Sequence, residues 1–411
     1  MPAIKPILAK SYWLLAVQRN ILYSHKLHTA FWHNVSNPEE FGFAKGQVTS
    51  FLLNTSDAET LFCWHVLPLD VYLDNENEIV QKAISGEVVE DLKETVGYKL
   101  LKNDAKSKVV VNFHGNAGHL AQGHRPATYR SISGIPHTHL LTCDYRGFGL
   151  STLNNAPHIP TETGIINDGI SLISYILTTL KQPSSRIVLL GQSLGTAVTA
   201  ASALHFTDPT SESLPTDLTP PNPAPKFPVS FAGIVLVAPF TTLPDLLETY
   251  RIGGVLPVLS PLRNYKRISL FLRTKILDRW PTLPRLQALL KASAAAKPSV
   301  PVHVTIIHAR NDQDITFKLS EHLYVSLEQS LLGDENVMSE QERRSIHGGE
   351  RVKRGAFAYR KVEDTTGQRT VELEIVRYGG HNQVVGYTQV ALAVRRALKG
   401  EKTFRPGLDV E

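Results

Sequence analysis

The chain has 411 residues, of which 42% are hydrophobic, and a formal net charge of +5 at pH 7. This length allows two domains, but strand-like apolar runs are spread evenly along the chain, which favours one large domain with an inserted cap. The two cysteines, Cys63 and Cys143, lie inside apparent strands, so we expect no disulfide framework and a reducing compartment. No nucleic-acid-binding module accompanies the positive charge, so we expect no nucleic-acid partner.

The N-terminal segment, residues 1–46 by our division, has the composition of a targeting or membrane-surface element. From Met1 to Pro38 it contains no acidic residue, while basic residues are spaced among apolar and aromatic ones. Its longest uncharged apolar run, Ser11 to Gln18, is much too short to span a bilayer. Three alternatives stay open: an interfacial amphipathic helix, a helix packed on the protein's own surface, and a mitochondrial presequence. We expect a cytoplasmic protein, and peripheral attachment to intracellular membranes, mitochondrial association and endoplasmic-reticulum association stay open.

Two apolar runs in the first half of the chain end in polar or glycine-bearing residues. Val109 to Phe113 leads into His114–Gly118, and Leu140 to Cys143 leads into Asp144–Ser151. Apolar runs with such ends are typical of buried strands whose tips meet at one edge of a parallel sheet. A glycine-bearing loop at that edge can present backbone N–H groups to a reacting oxygen.

The stretch from Arg186 to Ala200 carries the strongest signal in the chain. An apolar run is followed by Gly191-Gln192-Ser193-Leu194-Gly195 and then by a helical stretch of small residues. This pattern predicts a nucleophile elbow, in which a sharp turn between strand and helix presents the Ser193 hydroxyl above the sheet. Glycines flank Ser193 because the turn is strained, and a Cβ at either position would collide with the adjoining strand or helix.

Two stretches that follow do not continue the alternation of strands and helices. Residues Asp208 to Pro228 hold seven prolines, which favours a surface loop or a disordered insertion. After an apolar run at Gly233 to Val237, the residues from Leu243 to Lys297 predict several short helices. We therefore expect a helical cap, inserted at about residues 241–299.

Two further strand-like runs carry an acid and a histidine. Val302 to Ile307 leads to Asp312, and Val371 to Val376 leads to His381. The chain order Ser193, Asp312, His381 is the order that α/β-hydrolase triads use. Asp314 is a competing acid, but Asp312 lies closer to the end of its strand.

These residue types predict nucleophilic catalysis. A serine hydroxyl is a weak nucleophile at neutral pH, so Ser193 needs a base, and His381 lies on the loop after the last strand. Asp312 would orient the imidazole, and the backbone N–H groups of Asn116 and Leu194 would form the oxyanion hole. Structural roles are expected for other polar residues near these loops: His114, Asp144, Arg146 and Asp168.

The combination of motifs resembles the α/β-hydrolases, and among them the abhydrolase-domain group of monoacylglycerol and lysophosphatidylserine lipases. The matching segments cover most of the chain from about residue 47 and are Cys63–Pro68, His114–Gly118, Asp144–Ser151, Gly191–Gly195, Ala238–Thr241, His308–Asp312 and Gly380–His381. The resemblance implies a mostly parallel central sheet flanked by helices, with a helical cap, over residues 47–411. We expect the chain to depart from some members by having no N-terminal transmembrane helix, and it carries insertions at about 206–230 and 333–368.

The cap is both apolar and basic. Apolar residues between Ile252 and Trp280 are candidates for the lining of an acyl channel, and Asp278 is the only acid between Arg251 and Lys297. Ten basic residues are interleaved in the same stretch. Such a cap suits an anionic lipid, and the alternative is an ordinary cap with a solvated basic face.

We therefore expect a serine hydrolase that cleaves carboxylic esters of single-chain lipids, monoacylglycerol or lysophospholipid, without a cofactor or a metal ion. The expected partners are the lipid ester and, peripherally, an anionic membrane. An acyl-protein thioesterase is the nearest enzymatic alternative, because the same triad cleaves thioesters. A non-catalytic binding protein of the same fold is the alternative from another class.

Overall fold

A twisted sheet of eleven strands forms the centre of the protein in the computed structural model, which describes residues 18–27, 31–252, 254–257, 265–333, 352–354 and 357–400. The strands that form this sheet are Val48–Asn54 (β1), Thr60–Val66 (β2), Val88–Val89 (β3), Lys108–Phe113 (β4), Thr138–Cys143 (β5), Ile187–Gln192 (β6) and Gly233–Val237 (β7), followed after the cap by Val302–Ala309 (β10), Val352–Arg354 (β11), Phe357–Glu363 (β12) and Arg369–Val376 (β13). The cap adds a two-stranded pair, Arg251–Ile252 (β8) and Leu256–Pro257 (β9).

The strand order is β11-β12-β13-β10-β7-β6-β4-β5-β2-β1-β3. The six strands from β13 to β5 are mutually parallel, whereas β12 and β2 pair antiparallel with the strands at the two ends of this block. The expected mostly parallel sheet is therefore confirmed. Parallel strands place their carboxyl ends at one edge, so the loops after β4, β6, β10 and β13 converge there.

Helices cover both faces of the sheet. They are residues 18–23 (α1), Leu69–Asp74 (α2), Glu76–Lys82 (α3), Val96–Asn103 (α4), Arg125–Ser133 (α5), Glu162–Ser174 (α6), Leu194–Thr207 (α7), Leu243–Thr249 (α8), Lys266–Thr274 (α9), Thr282–Ala295 (α10), Lys318–Leu332 (α11), Gly380–Gln383 (α12) and Thr388–Lys399 (α13). Of the helices in the described ranges, none combines the length and the apolar character that a membrane span requires.

The central strands are apolar throughout because both of their faces are buried. In β4, Val109 and Val111 join a core under α6, α7, α10 and α11, while Val110 points to the opposite core under α5 and α13. The same alternation divides the residues of β6 and β7 between the two cores. A continuous run of branched apolar residues is therefore required here, and this requirement makes the strands visible in the sequence.

The cap region divides into two parts with different surroundings. The helix α10 buries Leu286, Leu289 and Leu290 in the same core as α7 and α11, so it covers the sheet in the same way as its neighbours. The elements from α8 to α9 precede it, and Arg273 of α9 forms ion pairs with Asp245 and Glu248 of α8. The limits of 46 for the N-terminal segment and about 241–299 for the cap stay predictions.

The described parts of the two insertions are joined to the body of the protein. The proline-rich stretch has no regular secondary structure, but it is fastened to the body by hydrogen bonds from Asn167 to Thr219 and from Arg285 to the carbonyl of Ser213. The second insertion contributes β11 and β12, which extend the sheet beyond β13. Residues 334–351, 355 and 356 lie outside the described residues.

The two cysteines form a disulfide bond, which corrects the expectation of none. Cys63 on β2 and Cys143 on β5 are paired directly across two antiparallel strands, and both are buried. Disulfides are uncommon in reducing compartments, so the cysteine content no longer supports a reducing location. The cytoplasmic location stays a prediction.

Candidate active site

Ser193 occupies a sharp turn between β6 and α7. Its backbone lies in a strained region, with φ 52° and ψ −119°. A Cβ on Gly191 would lie 2.4 Å from the carbonyl oxygen of Gly195, and a Cβ on Gly195 would lie 2.0 Å from that of Phe113 in β4. Both glycines are therefore required by close backbone approach, as the elbow pattern predicts.

The loops after β10 and β13 bring an acid and a histidine to this serine. The His381 Nε2 atom lies 3.1 Å from the Ser193 Oγ atom, and the His381 Nδ1 atom lies 2.8 Å from the Asp312 Oδ2 atom. With its Nδ1 proton donated to Asp312, the imidazole leaves Nε2 to accept the hydroxyl proton of Ser193. The three side chains thus have the geometry of a Ser-His-Asp triad.

Asp312 is held as a carboxylate by a complete set of donors. One oxygen accepts the backbone N–H groups of Asp314 and Ile315, and the other accepts from His381 and from His308. Burial acts to raise the pKa of Asp312, but the hydrogen bonds and charges of His308 and His381 outweigh it and hold the pKa well below its usual range. The group therefore stays ionised while it orients the imidazole.

Asp314, the competing acid, faces the cap instead. Its carboxylate accepts the backbone N–H of Gly254 at 2.6 Å, and its own carbonyl accepts the N–H of Arg251. Burial raises the pKa of Asp314. The arrangement favours Asp312 over Asp314 as the partner of His381.

The electrostatics of His381 favour the imidazolium. Burial acts to lower the pKa of His381, but the hydrogen bond and charge of Asp312, with a further contribution from the charge of Asp314, raise it above the usual value. The Gln192 side chain donates to the His381 carbonyl at 3.1 Å, and the Asn311 side chain accepts the N–H of Gly380 at 2.9 Å. These contacts fix the short helix α12 that carries the histidine.

The two predicted oxyanion donors line the same cavity as Ser193. Leu194 is the first residue of α7, so its N–H has no acceptor within the helix. Among the described residues, none accepts a hydrogen bond from the backbone N–H of Asn116. Both groups are therefore available to a substrate oxygen, and their assignment as the oxyanion hole stays a prediction.

The polar residues beside the site hold loops in place. Asp144 accepts the backbone N–H of Leu120 at 2.5 Å, on the loop that follows β4. Arg146 is buried and forms ion pairs with Asp168 on α6 and with Asp57, each at 2.7 Å. These contacts agree with the expected structural roles.

A cavity of about 490 Å³ opens over Ser193. Its polar side comprises the oxyanion loop, His381 and Asp314. Its apolar side chains come from the start of the chain and from α8 with the residues next to it: Ile21, Leu22, Leu27, Phe240, Leu243, Leu246, Leu247 and Tyr250. An apolar wall next to a nucleophilic serine suits an acyl chain.

The apolar cap residues beyond α8 are placed differently from what we expect from the sequence. Leu270, Phe271 and Leu277 are exposed and do not line the cavity, while Ile276 and Trp280 are buried in the core and do not line it either. The residues from 258 to 264 lie outside the described residues. Of the cap, the part that lines the cavity is α8 with the residues next to it. The rest of the apolar lining comes from a part of the chain that the sequence did not suggest.

That part is residues 18–27. Arg19 donates two hydrogen bonds of 2.9 Å to the buried carboxylate of Asp278, and the Tyr23 hydroxyl donates to the same carboxylate at 2.8 Å. On the other side, the Leu22 carbonyl accepts from the Asn116 side chain, and the Tyr23 carbonyl accepts the N–H of Ala117. Of the three alternatives for the N-terminal segment, the structure shows for residues 18–27 the helix packed on the protein's own surface. Residues 1–17 lie outside the described residues.

Comparisons with known proteins agree with the fold and the motifs. The chain is 23% identical over 183 residues to lysophosphatidylserine lipase ABHD12 of Xenopus tropicalis, and this match covers 44% of the chain and 41% of the lipase. It is 24% identical over 315 residues to protein ABHD12B of Homo sapiens, which covers 77% of the chain and 71% of that protein. Its structure is similar to the crystal structure of an alpha-beta hydrolase from Vibrio vulnificus, with a TM-score of 0.52, 13% identity and 93% coverage of both chains. The chain therefore has the α/β-hydrolase fold.

Within this fold, the relatives support the predicted resemblance to abhydrolase-domain lipases. No family model matches the sequence. The chain spans about two fifths of the length of the frog lipase that it matches, so the activity of that whole protein comes to this chain only as a proposal.

Two of the three described residues that are closest to a metal-binding arrangement belong to the triad. In the described part of the chain, Asp312, Asp314 and His381 offer ligand atoms within 4.8 Å of one another. Both ring nitrogens of His381 are engaged by Asp312 and Ser193, so a metal ion would compete with the triad geometry. We infer no metal centre from these residues.

Sequence reasoning missed two residues that support the site. His308 is buried beneath Asp312, with Nε2 at 3.1 Å from the Asp312 carboxylate and Nδ1 at 2.7 Å from the Ser320 hydroxyl. Arg125 is buried beneath the oxyanion loop and donates to its carbonyls. The available signal for His308 was a histidine at the end of an otherwise apolar strand. Arg125 was visible only as a basic residue close to the His114–Gly118 motif.

Proposed function

We propose that this protein is a serine hydrolase that cleaves the carboxylic ester of a single-chain lipid. The observation that carries the proposal is the Ser193–His381–Asp312 arrangement at the floor of a cavity with one apolar wall. Lysophosphatidylserine and monoacylglycerol are the substrates that we put first. The similarity to a protein named lysophosphatidylserine lipase supports the former.

The chemistry follows from the hydrogen bonds of the site. As the Ser193 Oγ atom attacks the ester carbonyl, His381 Nε2 takes the hydroxyl proton and Asp312 stabilises the resulting imidazolium. The carbonyl oxygen becomes an oxyanion that the N–H groups of Asn116 and Leu194 would receive. The imidazolium then protonates the leaving alcohol, and an acyl-enzyme remains. Water, deprotonated by His381, attacks this intermediate and releases the fatty acid.

The cavity supports a substrate with one acyl chain. Its apolar side chains come from residues 21–27, from α8 and from the residues next to α8, and its polar groups come from the oxyanion loop, His381 and Asp314. An acyl chain along the apolar side chains would place its ester near Ser193 and its head group near the polar groups. The same geometry accepts a thioester, so an acyl-protein thioesterase is the alternative that a substrate panel decides.

We propose further that the cap faces an anionic membrane surface. Exposed apolar side chains lie on the cap and on the start of the chain, including Leu270, Phe271 and Leu277. Three exposed basic residues of the cap, here called the cap cations, are Arg267, Lys275 and Arg279. Apolar side chains between cations suit the boundary between head groups and acyl chains.

The test is labelling by a fluorophosphonate probe, followed by hydrolysis of a lipid panel. The intact chain should be labelled, whereas Ser193→Ala should lose both labelling and hydrolysis while its circular dichroism stays unchanged. Ser185→Ala, an exposed serine on the same protein, is the matched control. Full labelling of Ser193→Ala would exclude Ser193 as the nucleophile. A folded chain that binds a lysolipid but hydrolyses neither ester nor thioester would be a binding protein instead.

A further inference from the structure

A buried arginine collects the carbonyl groups of the loop that precedes the oxyanion hole. The Arg125 Nη2 atom lies 2.8, 2.7 and 2.9 Å from the carbonyl oxygens of Gly115, Asn116 and Ala117, and Nη1 lies 2.5 Å from that of His119. Four carbonyls of one short loop thus converge on a single guanidinium.

Burial of the Arg125 guanidinium costs free energy unless neighbouring groups compensate its charge. Arg125 is only 9% exposed, and in the described part of the chain no carboxylate lies within 4.0 Å of its guanidinium. It is also the first residue of α5, where the positive end of the helix dipole disfavours a cation. Burial lowers the pKa of Arg125, yet an arginine stays protonated in a protein. The charge of Asp144 favours the guanidinium from beyond contact distance, and the groups in direct contact with the guanidinium are the loop carbonyls.

The contact with Gly115 determines where the next N–H points. The peptide bond between Gly115 and Asn116 is trans, since the cis bonds of the described chain all precede prolines. In a trans peptide the C=O and the N–H point in opposite directions. Because the Gly115 carbonyl is directed at Arg125, the Asn116 N–H is directed to the opposite side of the peptide. Asn116, Ser193 and Arg125 all line the cavity, so this N–H lies at the cavity with no acceptor among the described residues.

The loop needs such a restraint because its backbone is strained. Ala117 has φ 60° and Gly118 has φ 68°, and for a residue with a Cβ the left-handed region costs on the order of 1 kcal/mol. Three successive carbonyls on one side of the chain also repel one another unless a donor lies between them. The guanidinium supplies that donor, so its removal lets the loop relax and turn the Asn116 peptide.

We propose that Arg125 is a positioning residue for the oxyanion hole, which holds the Gly115–Asn116 peptide so that the Asn116 N–H meets the substrate oxygen. The proposal rests on the proposed serine-hydrolase function. It adds to that function the requirement that the planar, two-pronged guanidinium holds several carbonyls at once. A charge at that position is not sufficient.

The experiment compares Arg125→Met, Arg125→Lys and Arg130→Met with the intact chain. Arg130 lies on the same helix, is exposed and has no part in the oxyanion loop, so its variant is the control. The measurements are kcat and KM on a short soluble ester, the affinity for a trifluoromethyl ketone, which forms a tetrahedral adduct with the serine, and the thermal midpoint. Active sites are counted by fluorophosphonate titration, so that an unfolded fraction does not lower the apparent kcat.

Loss of one oxyanion donor lowers kcat by about 10²- to 10³-fold, so Arg125→Met should lose about 10²-fold in kcat with little change in KM. Affinity for the ketone should fall by a similar factor, because the adduct carries the oxyanion. Arg125→Lys, whose side chain is shorter and offers one nitrogen, should lose about tenfold, and Arg130→Met should match the intact chain.

The outcomes separate this proposal from the proposed function. If the intact chain hydrolyses no ester, the proposed function fails before Arg125 is tested. Suppose that the intact chain is active and that Arg125→Lys has the same kcat per titrated active site and the same ketone affinity as the intact chain. The positioning role is then excluded, whether or not Arg125→Met folds. A rise in KM with an unchanged kcat would also overturn it, because Arg125 would then act in substrate binding.

Discussion

The anchor between residues 18–27 and the cap can be tested by removing one oxygen atom. In the native chain the Tyr23 ring is fully buried, and its hydroxyl donates to Asp278 and accepts from Trp280 Nε1 at 3.2 Å. Tyr23→Phe keeps the ring and removes both hydrogen bonds. A hydrogen bond to a charged group contributes about 1.5–3 kcal/mol, and an unsatisfied buried N–H costs about 1 kcal/mol or more. Arg19 still pairs with Asp278, so no charge is left alone. We expect the segment to lose about 2–4 kcal/mol of its local stability.

Hydrogen exchange of the amides in residues 18–27 measures this loss directly, because a short segment outside the central sheet can open without global unfolding. A loss of 2 kcal/mol corresponds to about a 30-fold faster exchange, since each 1.4 kcal/mol is a factor of ten. Tyr265→Phe is the control, because that tyrosine is 61% exposed. Exchange that accelerates equally in both variants, or in neither, would show that the Tyr23 hydroxyl does not hold the segment to Asp278.

Asp312→Asn should lower kcat by about 10⁴-fold, as expected when the imidazole tautomer is no longer held, whereas Asp314→Asn should keep most of it. Equal losses would refute the assignment. Because His381 acts as a neutral base and its pKa is raised, the rate should fall with decreasing pH through a midpoint above roughly 6.5; a pH–rate profile with a lower midpoint contradicts this. Asp314→Asn should move that midpoint down, since it removes a charge that favours the imidazolium. Reversing the cap cations to glutamate should depress hydrolysis of lysophosphatidylserine more than that of monoacylglycerol, and added salt should have the same effect; equal losses would make the cap an ordinary solvated surface. Deleting residues 1–17 should leave hydrolysis of a short soluble ester unchanged, whereas deleting 1–30 should lower it because a cavity wall is lost. Unchanged hydrolysis after the longer deletion would show that the segment is dispensable for the site.

The sheet and the elbow could be predicted because their signals are local. The strand at residues 233–237 was predicted with the observed bounds, since a strand buried on both faces must be apolar throughout. The strand β10 extends two residues beyond the predicted end at Ile307, because its pairing with β13 continues through His308 and Ala309. A histidine gives no apolar signal, so that extension depends on a partner strand 60 to 70 residues away along the chain.

The disulfide could not be predicted for a similar reason. Cys63 and Cys143 are separated by 80 residues, and only the antiparallel register between β2 and β5 places them opposite each other. Composition shows the number of cysteines and their apolar surroundings. It does not show register, which is set by the pairing of whole strands.

The role of residues 18–27 was hidden for a different reason. An amphipathic pattern shows that one face of a segment will be buried but does not identify the surface that buries it. Here Leu22 meets the cavity while Tyr23, the next residue, is buried against Asp278 and Trp280. Neighbouring residues on a helix point in different directions, so the same short helix contacts the cap with one side and the cavity with another. Asp278 shows the same ambiguity from the side of its partner. It is the only acid between Arg251 and Lys297, and from the sequence it is an exception to the basic pattern of that stretch. Its carboxylate is instead the buried acceptor that joins the start of the chain to the cap, and through the Leu22 and Tyr23 carbonyls to the oxyanion loop.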